Sequence, residues 1–109
     1  MRYLMLVCVD NTPRPAEAPG IGVDQWVKEY DEKGVRLIGD RIRPESDATT
    51  VRVRGGEVLV TDGPYVETKE LIAGFDVLEC ADLDEAIEVA ARHEMAKLGA
   101  IELRPFWVE

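Results

Sequence analysis

The residues best suited to chemistry lie in one short stretch, 62–70, between two strand-like runs. It carries four ionisable side chains and a Gly-Pro pair that breaks regular structure. Loops held by a rigid sheet commonly carry function, so this stretch is the first candidate site. Asp62 is the candidate catalytic residue, as a general base or as a carboxylate that orients a ligand. The alternative is structural: its side chain accepts backbone N–H groups and fixes the turn at Gly63-Pro64.

Tyr65 and Lys69 are the candidate ligand-binding residues of the same stretch. Tyr65 would cover an aromatic or acyl group, and Lys69 would hold an anionic group. The alternative is that Tyr65 anchors the loop in the core while the neighbouring charges, Glu67 and Glu70 included, pair on the surface. Such pairs contribute only about 0–1 kcal/mol.

Two further candidates lie outside this stretch. His93, the one histidine of the chain, is a candidate for proton transfer. The competing interpretation is a cation near the end of the second helix, where it would interact favourably with the helix dipole. Arg104 is a candidate anion-binding residue, expected with Glu102 and Asp76 on the sheet face opposite Ile101 and Leu103. Its alternative role is a salt bridge, because buried charges must be paired.

The sequence predicts neither a cofactor nor a metal. It has no nucleotide-binding fingerprint, no nucleophile elbow, and no second His or Cys at a metal-ligand spacing from His93. The net charge of −9 argues against nucleic acid and anionic membranes as partners. The apolar run 2–9 is too short to span a bilayer, which takes about 20 residues. Cys8 and Cys80 lie in apolar runs and are expected to be reduced core residues of a cytoplasmic protein.

The periodicity predicts a single α+β domain over 109 residues. Apolar residues at helical spacing predict a helix over 23–33, with Trp26 and Tyr30 in the core and Gly34 as its C-terminal cap. Asp82 and Glu85 form a capping box for a second helix. Its predicted buried stripe is Leu83, Ala86, Ile87, Ala90, Ala91 and Leu98. Strands are predicted over 2–9, 35–42, 74–80 and 100–108. A hairpin is predicted with strands 51–54 and 57–60 and a turn at Gly55-Gly56. The segment Asn11–Gly22 is predicted to be a loop.

This order is that of a ferredoxin-like plait with an extra hairpin, in which an antiparallel sheet carries two helices on one face. Cys8 and Cys80 are then expected at opposite ends of the sheet, too far apart for a disulfide. Residues 3–9 are apolar on both faces of the first strand, and two helices cover only one. A large exposed apolar face usually marks an interface, so we expect a homodimer in which the uncovered faces meet.

Several segments resemble the signature of the YCII-related proteins of the DGPF type. They are Val58–Tyr65, Glu67–Glu70, Gly74-Phe75, Asp82–Ala86 and Glu102–Pro105. The resemblance implies a dimeric α+β barrel and a link, for some members, to extracytoplasmic-function sigma factors. It also implies an enzymatic His–Asp pair in the wider superfamily, whose Asp matches Asp62. The corresponding His is expected on the first helix, and 23–33 contains none, so that pair does not carry over intact.

Two functions therefore follow from the sequence. The first is a dimeric module that binds a metabolite or serves regulation, within a sigma-factor circuit. The second is a small-molecule enzyme without an organic cofactor, an isomerase, lyase or hydrolase that uses Asp62 for proton transfer. The missing histidine on the first helix favours the binding module.

Overall fold

The computed structural model describes residues 1–9, 21–65 and 71–108. Their elements, in chain order, are β1 (Arg2–Val9), α1 (Val23–Glu32), β2 (Arg36–Arg41), a 3₁₀ turn (Glu45–Asp47), β3 (Thr49–Arg54), β4 (Glu57–Asp62), β5 (Leu71–Glu79), α2 (Leu83–Ala91), α3 (Met95–Leu98) and β6 (Ala100–Pro105). Most of the predicted loop 11–22 lies outside the described residues, as do Glu67, Lys69 and Glu70.

The main sheet has four strands in the order β2-β5-β1-β6, and every neighbouring pair is antiparallel. This is the predicted ferredoxin-like arrangement. The register pairs Arg2 with Glu79 and Cys8 with Ile72. Cys8 and Cys80 therefore lie at opposite ends of the sheet, and both are buried thiols. Pro105 ends β6, which is an edge strand. Proline is tolerated there, because the N–H that it lacks is not needed for a hydrogen bond to a neighbouring strand.

The core lies between the helices and one face of the sheet, which we call the helix face. Tyr3, Met5 and Val7 project from β1 onto this face and are at most 7% exposed. Trp26 and Tyr30 of α1 pack against them, as predicted. The indole Nε1–H of Trp26 donates to the carbonyl oxygen of Val89 at 2.9 Å, so its polar atom is satisfied inside the core.

Helix α1 ends where the sequence predicts. Gly34 adopts φ +70°, a left-handed conformation that favours glycine. The N–H of Val35 then bonds the carbonyl of Tyr30 at 3.0 Å, which closes the last turn. The chain is thereby turned directly into β2.

The second predicted helix is two helices, and its buried stripe differs from the prediction. Leu83 and Ile87 are each 49% exposed, while Ala86, Val89 and Ala90 are buried. The first bond of the predicted capping box forms, because Asp82 accepts from the Glu85 N–H at 2.9 Å. The Glu85 side chain accepts from the N–H of Ala81, one residue before the N-cap, instead of from that of Asp82. Leu98, in α3, is 57% exposed and does not extend the stripe.

The break between α2 and α3 has a local cause at His93. The N–H of His93 bonds the carbonyl of Ala90 at 3.0 Å, which tightens the end of α2. The His93 Nδ1 atom accepts the N–H of Met95 at 3.0 Å. A side chain that takes a backbone donor in this way competes with continuation of the helix.

The predicted hairpin forms a separate two-stranded sheet, and its strands run further than predicted, to Thr49 and Asp62. Gly55 and Gly56 turn it with φ +57° and +81°. Val51 pairs with Val60 and Val53 with Val58, which places four valines on one face. They are 57–66% exposed, so this valine face is bare in the single chain.

The sheet face away from the helices, which we call the open face, is apolar at its centre. Leu4 lies opposite Val77 and Leu6 opposite Phe75, and all four are half-buried. Glu102 and Arg104 lie on this face, as predicted. Asp76 does not: it pairs with Met5, so it lies on the helix face and is 6% exposed.

Candidate functional site

A cavity of about 490 Å³ lies between α1, the segment 93–95 and the helix face of β2 and β5. Val23 and Val27 line it from α1, and His93 and Met95 line it from the segment 93–95. Ligand sites typically combine apolar walls with a few polar groups, and this cavity has both.

Two glycines help to leave this space open. Gly39 of β2 lies opposite Asp76, and Gly74 of β5 lies opposite Arg41. Both glycines line the cavity. A Cβ at Gly39 would overlap the Asp76 carboxylate and lie 2.7 Å from the carbonyl oxygen of Phe75. Glycine in a strand interior often marks such a close approach.

The cavity contains a buried ion pair. The Nε of Arg36 donates to Oδ1 of Asp76 at 2.7 Å, and the two side chains are 14% and 8% exposed. Arg36 also reaches the exposed Asp31 at 3.0 Å through Nη1. Burial raises the pKa of the Asp76 carboxyl above its ordinary value, and the Arg36 guanidinium opposes that shift. At 2.7 Å this is a charge-assisted hydrogen bond, in which the guanidinium favours the ionised form of the carboxyl.

The second oxygen of Asp76, Oδ2, has no hydrogen bond to any residue that the structure describes. Asp76 lines the cavity, so this oxygen is the candidate acceptor for a bound molecule.

His93 is 4% exposed and lines the same cavity. Its ring packs edge-on against Trp26 with 4.8 Å between ring centroids. Burial lowers its pKa, against a smaller opposing effect of Glu94. The ring is therefore the neutral imidazole near pH 7, not the cation expected near a helix end. Since Nδ1 accepts the Met95 N–H, the ring proton is on Nε2, which has no acceptor among the described residues.

Charged groups also surround the cavity at its rim. Asp24 and Arg41 line it and are exposed, whereas Asp40 lies opposite Phe75 and so projects to the open face. Asp40 accepts the N–H of Arg41 at 2.8 Å through Oδ1. These groups are hydrated, so they affect the approach of a ligand more than they fix its orientation.

The residues predicted from sequence are not brought together. His93 alone of them lines the cavity, within the part of the chain that the structure describes. Asp62 and Tyr65 are exposed, the latter at 70%. Arg104 is paired with Glu102 of its own strand at 2.7 Å. Lys69 lies outside the described residues.

The turn at Gly63 is held by groups other than the Asp62 side chain. The N–H of Gly63 donates to the carbonyl of Ala48 at 2.8 Å. The hydroxyl of Thr50 donates to the carbonyl of Gly63 at 2.6 Å. Gly63 itself has φ +97°, which favours glycine. The Asp62 side chain makes no hydrogen bond to a residue in the described ranges, and it is exposed.

Sequence reasoning missed Arg36 and Asp76 as site residues. The available signal was alternation along β5. Asp76 is two residues from Leu78, which is fully buried, so the two share a face. A carboxylate on a buried face requires a partner, and Gly39 at mid-strand in β2 marks where that partner has room.

Among residues 1–9, 21–65 and 71–108, no group of three or more His, Cys, Asp or Glu side chains is placed to hold a metal ion. Across the same residues, no helix has the length and apolar character needed to cross a membrane.

The fold and the cavity define a ferredoxin-like α+β domain with a partly enclosed pocket under its first helix, apolar in most of its lining and with a few buried polar groups. The chain belongs to the YCII-related domain family, whose family model matches residues 1–108. It is also similar to an uncharacterised protein of Rhizobium meliloti (strain 1021). The two are 36% identical over 97 residues, which cover 73% of this chain and 78% of the relative.

Proposed function

We propose that this YCII-related domain is a homodimeric module that binds a small organic molecule in the cavity between α1, the segment 93–95 and the strands β2 and β5. The observation that carries the proposal is the cavity itself, with apolar walls around the buried Arg36–Asp76 pair and His93. Buried polar groups that line a cavity and have hydrogen-bonding atoms without a partner are a feature of binding sites. Regulation, in a sigma-factor circuit, is the use that the sequence resemblance suggests for such binding.

Two apolar surfaces support the dimer. The centre of the open face is made of half-buried Leu4, Leu6, Phe75 and Val77, and charged side chains such as Glu102 and Arg104 lie around it. An apolar centre inside a polar rim is the usual anatomy of an interface. The valine face of the β3–β4 hairpin is a second bare surface. An isolated two-stranded hairpin is marginally stable in water, so cover by a second copy would stabilise it.

Sedimentation velocity tests the dimer. The chain of 12.2 kDa is expected to sediment with twice that mass at micromolar concentration. Leu6→Lys places a charge at the centre of the open face and is expected to give monomers. Ile87→Lys, at a 49% exposed position on α2, is the matched control and should leave the dimer intact. A monomeric wild-type chain would refute the dimer without touching the cavity.

Ligand-observed NMR tests the cavity. A panel of small amides, alcohols, acids and amines is screened by saturation transfer against the wild-type chain. Val23→Trp adds a large side chain at the rim, where Val23 is 37% exposed, and is expected to abolish the transfer. Ile87→Trp is the control and should retain it. Transfer that survives in Val23→Trp for every bound compound would contradict a site in this cavity.

A catalytic role for Asp62 is the second candidate. The observation in its favour is that the carboxylate is exposed and makes no hydrogen bond to the described residues, while the adjacent turn is held by Ala48 and Thr50. Asp62→Asn removes the base and keeps the shape. If the panel reveals turnover of any compound, that variant should abolish it. Unchanged turnover would exclude Asp62.

A further inference from the structure

Two buried side chains form the polar floor of the cavity. One offers a hydrogen-bond acceptor and the other a hydrogen-bond donor. Asp76 offers an acceptor, Oδ2, and His93 offers a donor, Nε2–H. Both residues are more than nine-tenths buried and both line the cavity. Neither atom has a partner among the residues that the structure describes. A molecule in the cavity must satisfy both atoms or leave them without a partner, and an unsatisfied buried polar group is costly.

The buried charges of the floor are already paired. Asp76 and Arg36 carry opposite charges at 2.7 Å, and Asp31, which also contacts Arg36, is exposed to water. The His93 imidazole that lines the same cavity is neutral near pH 7, because burial lowers its pKa. A further ion placed here would be desolvated without a counter-ion. The exposed Asp24 and Arg41 lie at the rim, where water screens them.

We infer that Asp76 and His93 recognise an uncharged ligand group that both donates and accepts a hydrogen bond, a primary amide or a hydroxyl, carried on a small apolar body. The inference rests on the proposed binding function and names its ligand class. An amide N–H would donate to Asp76 Oδ2, and the amide carbonyl would accept from His93 Nε2–H. The apolar body would pack against Val23 and Val27.

Three probes of nearly identical shape test the charge of that group: isobutyramide, isobutyrate and isobutyramidinium. Dissociation constants are measured at pH 7.5 from the amide chemical shifts of the full-length chain. Isobutyramide is expected to bind at least tenfold more tightly than either ion and to shift the resonances of Gly39 and Gly74. Tighter binding of either ion in the cavity would overturn the ligand class and leave the proposed cavity function standing.

The Asp76→Asn variant tests the acceptor. The new side-chain amide retains the shape and an oxygen for Arg36, but presents an NH₂ group where Oδ2 was. In either orientation of the ligand amide, its own NH₂ group would then face a donor, either the new side-chain NH₂ or the His93 Nε2–H. Binding of isobutyramide should therefore weaken at least tenfold. His93→Phe keeps an aromatic ring against Trp26, removes the donor, and should weaken binding similarly. Glu88→Gln, on the exposed surface of α2, is the control with unchanged affinity.

The outcomes separate the two claims. Unaltered isobutyramide affinity in both folded variants overturns the assignment of Asp76 and His93. Should a variant fail to fold, the ratio of affinities among the three probes on the wild-type chain still decides the charge of the recognised group. No cavity shift with any of the three probes also overturns the ligand class. The proposed binding function fails only if the wider panel gives no cavity-dependent saturation transfer.

Discussion

Replacement of Gly39 by alanine tests how the cavity floor is built. The new Cβ would overlap Asp76 Oδ1 and lie 2.7 Å from the Phe75 carbonyl oxygen and 2.8 Å from Arg36 Nη2. Real Cβ atoms do not approach that closely, so the ion pair or the strand must move. The Phe75 carbonyl belongs to the sheet backbone, so relief must come from the Arg36–Asp76 pair, which can shift towards the cavity only by straining its 2.7 Å hydrogen bond.

The magnitude follows from three effects. Overpacking a tight site costs about 1–3 kcal/mol. Weakening a hydrogen bond between charged groups adds about 1.5–3 kcal/mol if the bond is lost completely. Alanine is better than glycine inside a strand by about 0.5–1 kcal/mol, which offsets part of the loss. We therefore expect Gly39→Ala to lower the free energy of unfolding by about 2–4 kcal/mol.

Urea denaturation at a fixed protein concentration measures this change, since dimerisation would make stability depend on concentration. Gly22→Ala is the matched control, because a Cβ there has no neighbour within 4 Å and φ is −63°. It should cost no more than about 1 kcal/mol, because alanine is a poorer N-cap than glycine but loses less backbone entropy on folding. In an Asp76→Ala background, Gly39→Ala should cost less, with a coupling of about 1–3 kcal/mol. A Gly39→Ala chain as stable as Gly22→Ala would refute this account of the cavity floor.

Three further predictions concern His93, the Gly63 turn and Cys80. Burial lowers the His93 pKa, so the unfolded chain binds the proton more readily. Stability should fall as pH drops below about 6.5 and level off below the folded pKa, and His93→Gln should flatten this part of a urea-derived stability profile. Thr50→Val loses the bond to the Gly63 carbonyl and should lower the free energy of unfolding by about 1 kcal/mol in urea denaturation. Asp62→Asn should change that free energy by less than about 0.5 kcal/mol. The reverse order would mean that Asp62 holds the turn. Burial raises the pKa of the Cys80 thiol to about 11. Mass spectrometry should therefore find Cys80 unmodified by iodoacetamide at about pH 8 in the native chain and alkylated in urea. Rapid alkylation of the native chain would contradict its burial.

The sheet and α1 could be predicted from sequence because local signals agree with the tertiary packing. Trp26 and Tyr30 lie at helical spacing and are buried, and Gly34 and Gly55 adopt the positive φ that their positions require. Local preference and global fold agree at each of these points.

The second helix was predicted less well, because composition did not reveal which apolar side chains face the core. Leu83 and Ile87 are more hydrophobic than Ala86 and Ala90, yet the alanines are buried. The helix end was set by a side chain, because His93 takes the N–H of Met95. Such a bond has no periodic signature.

The site was the part least predictable from sequence. Arg36 and Asp76 are forty residues apart, and only the pairing of β2 with β5 brings them together. The stretch around Asp62 drew attention because its charges are adjacent in sequence. Within the described residues, its carboxylate lies on an exposed strand end instead.

The central claim is that the cavity under α1, and not the end of the hairpin, is where a ligand binds. Mapping of isobutyramide on the backbone amide resonances tests it most directly, with Gly39 and Gly74 as reporters of the cavity and Gly63 as the reporter of the turn beside Asp62. We predict saturable shifts at Gly39 and Gly74 with Gly63 unmoved. Saturable shifts at Gly63 and none at Gly39 or Gly74 would contradict the claim.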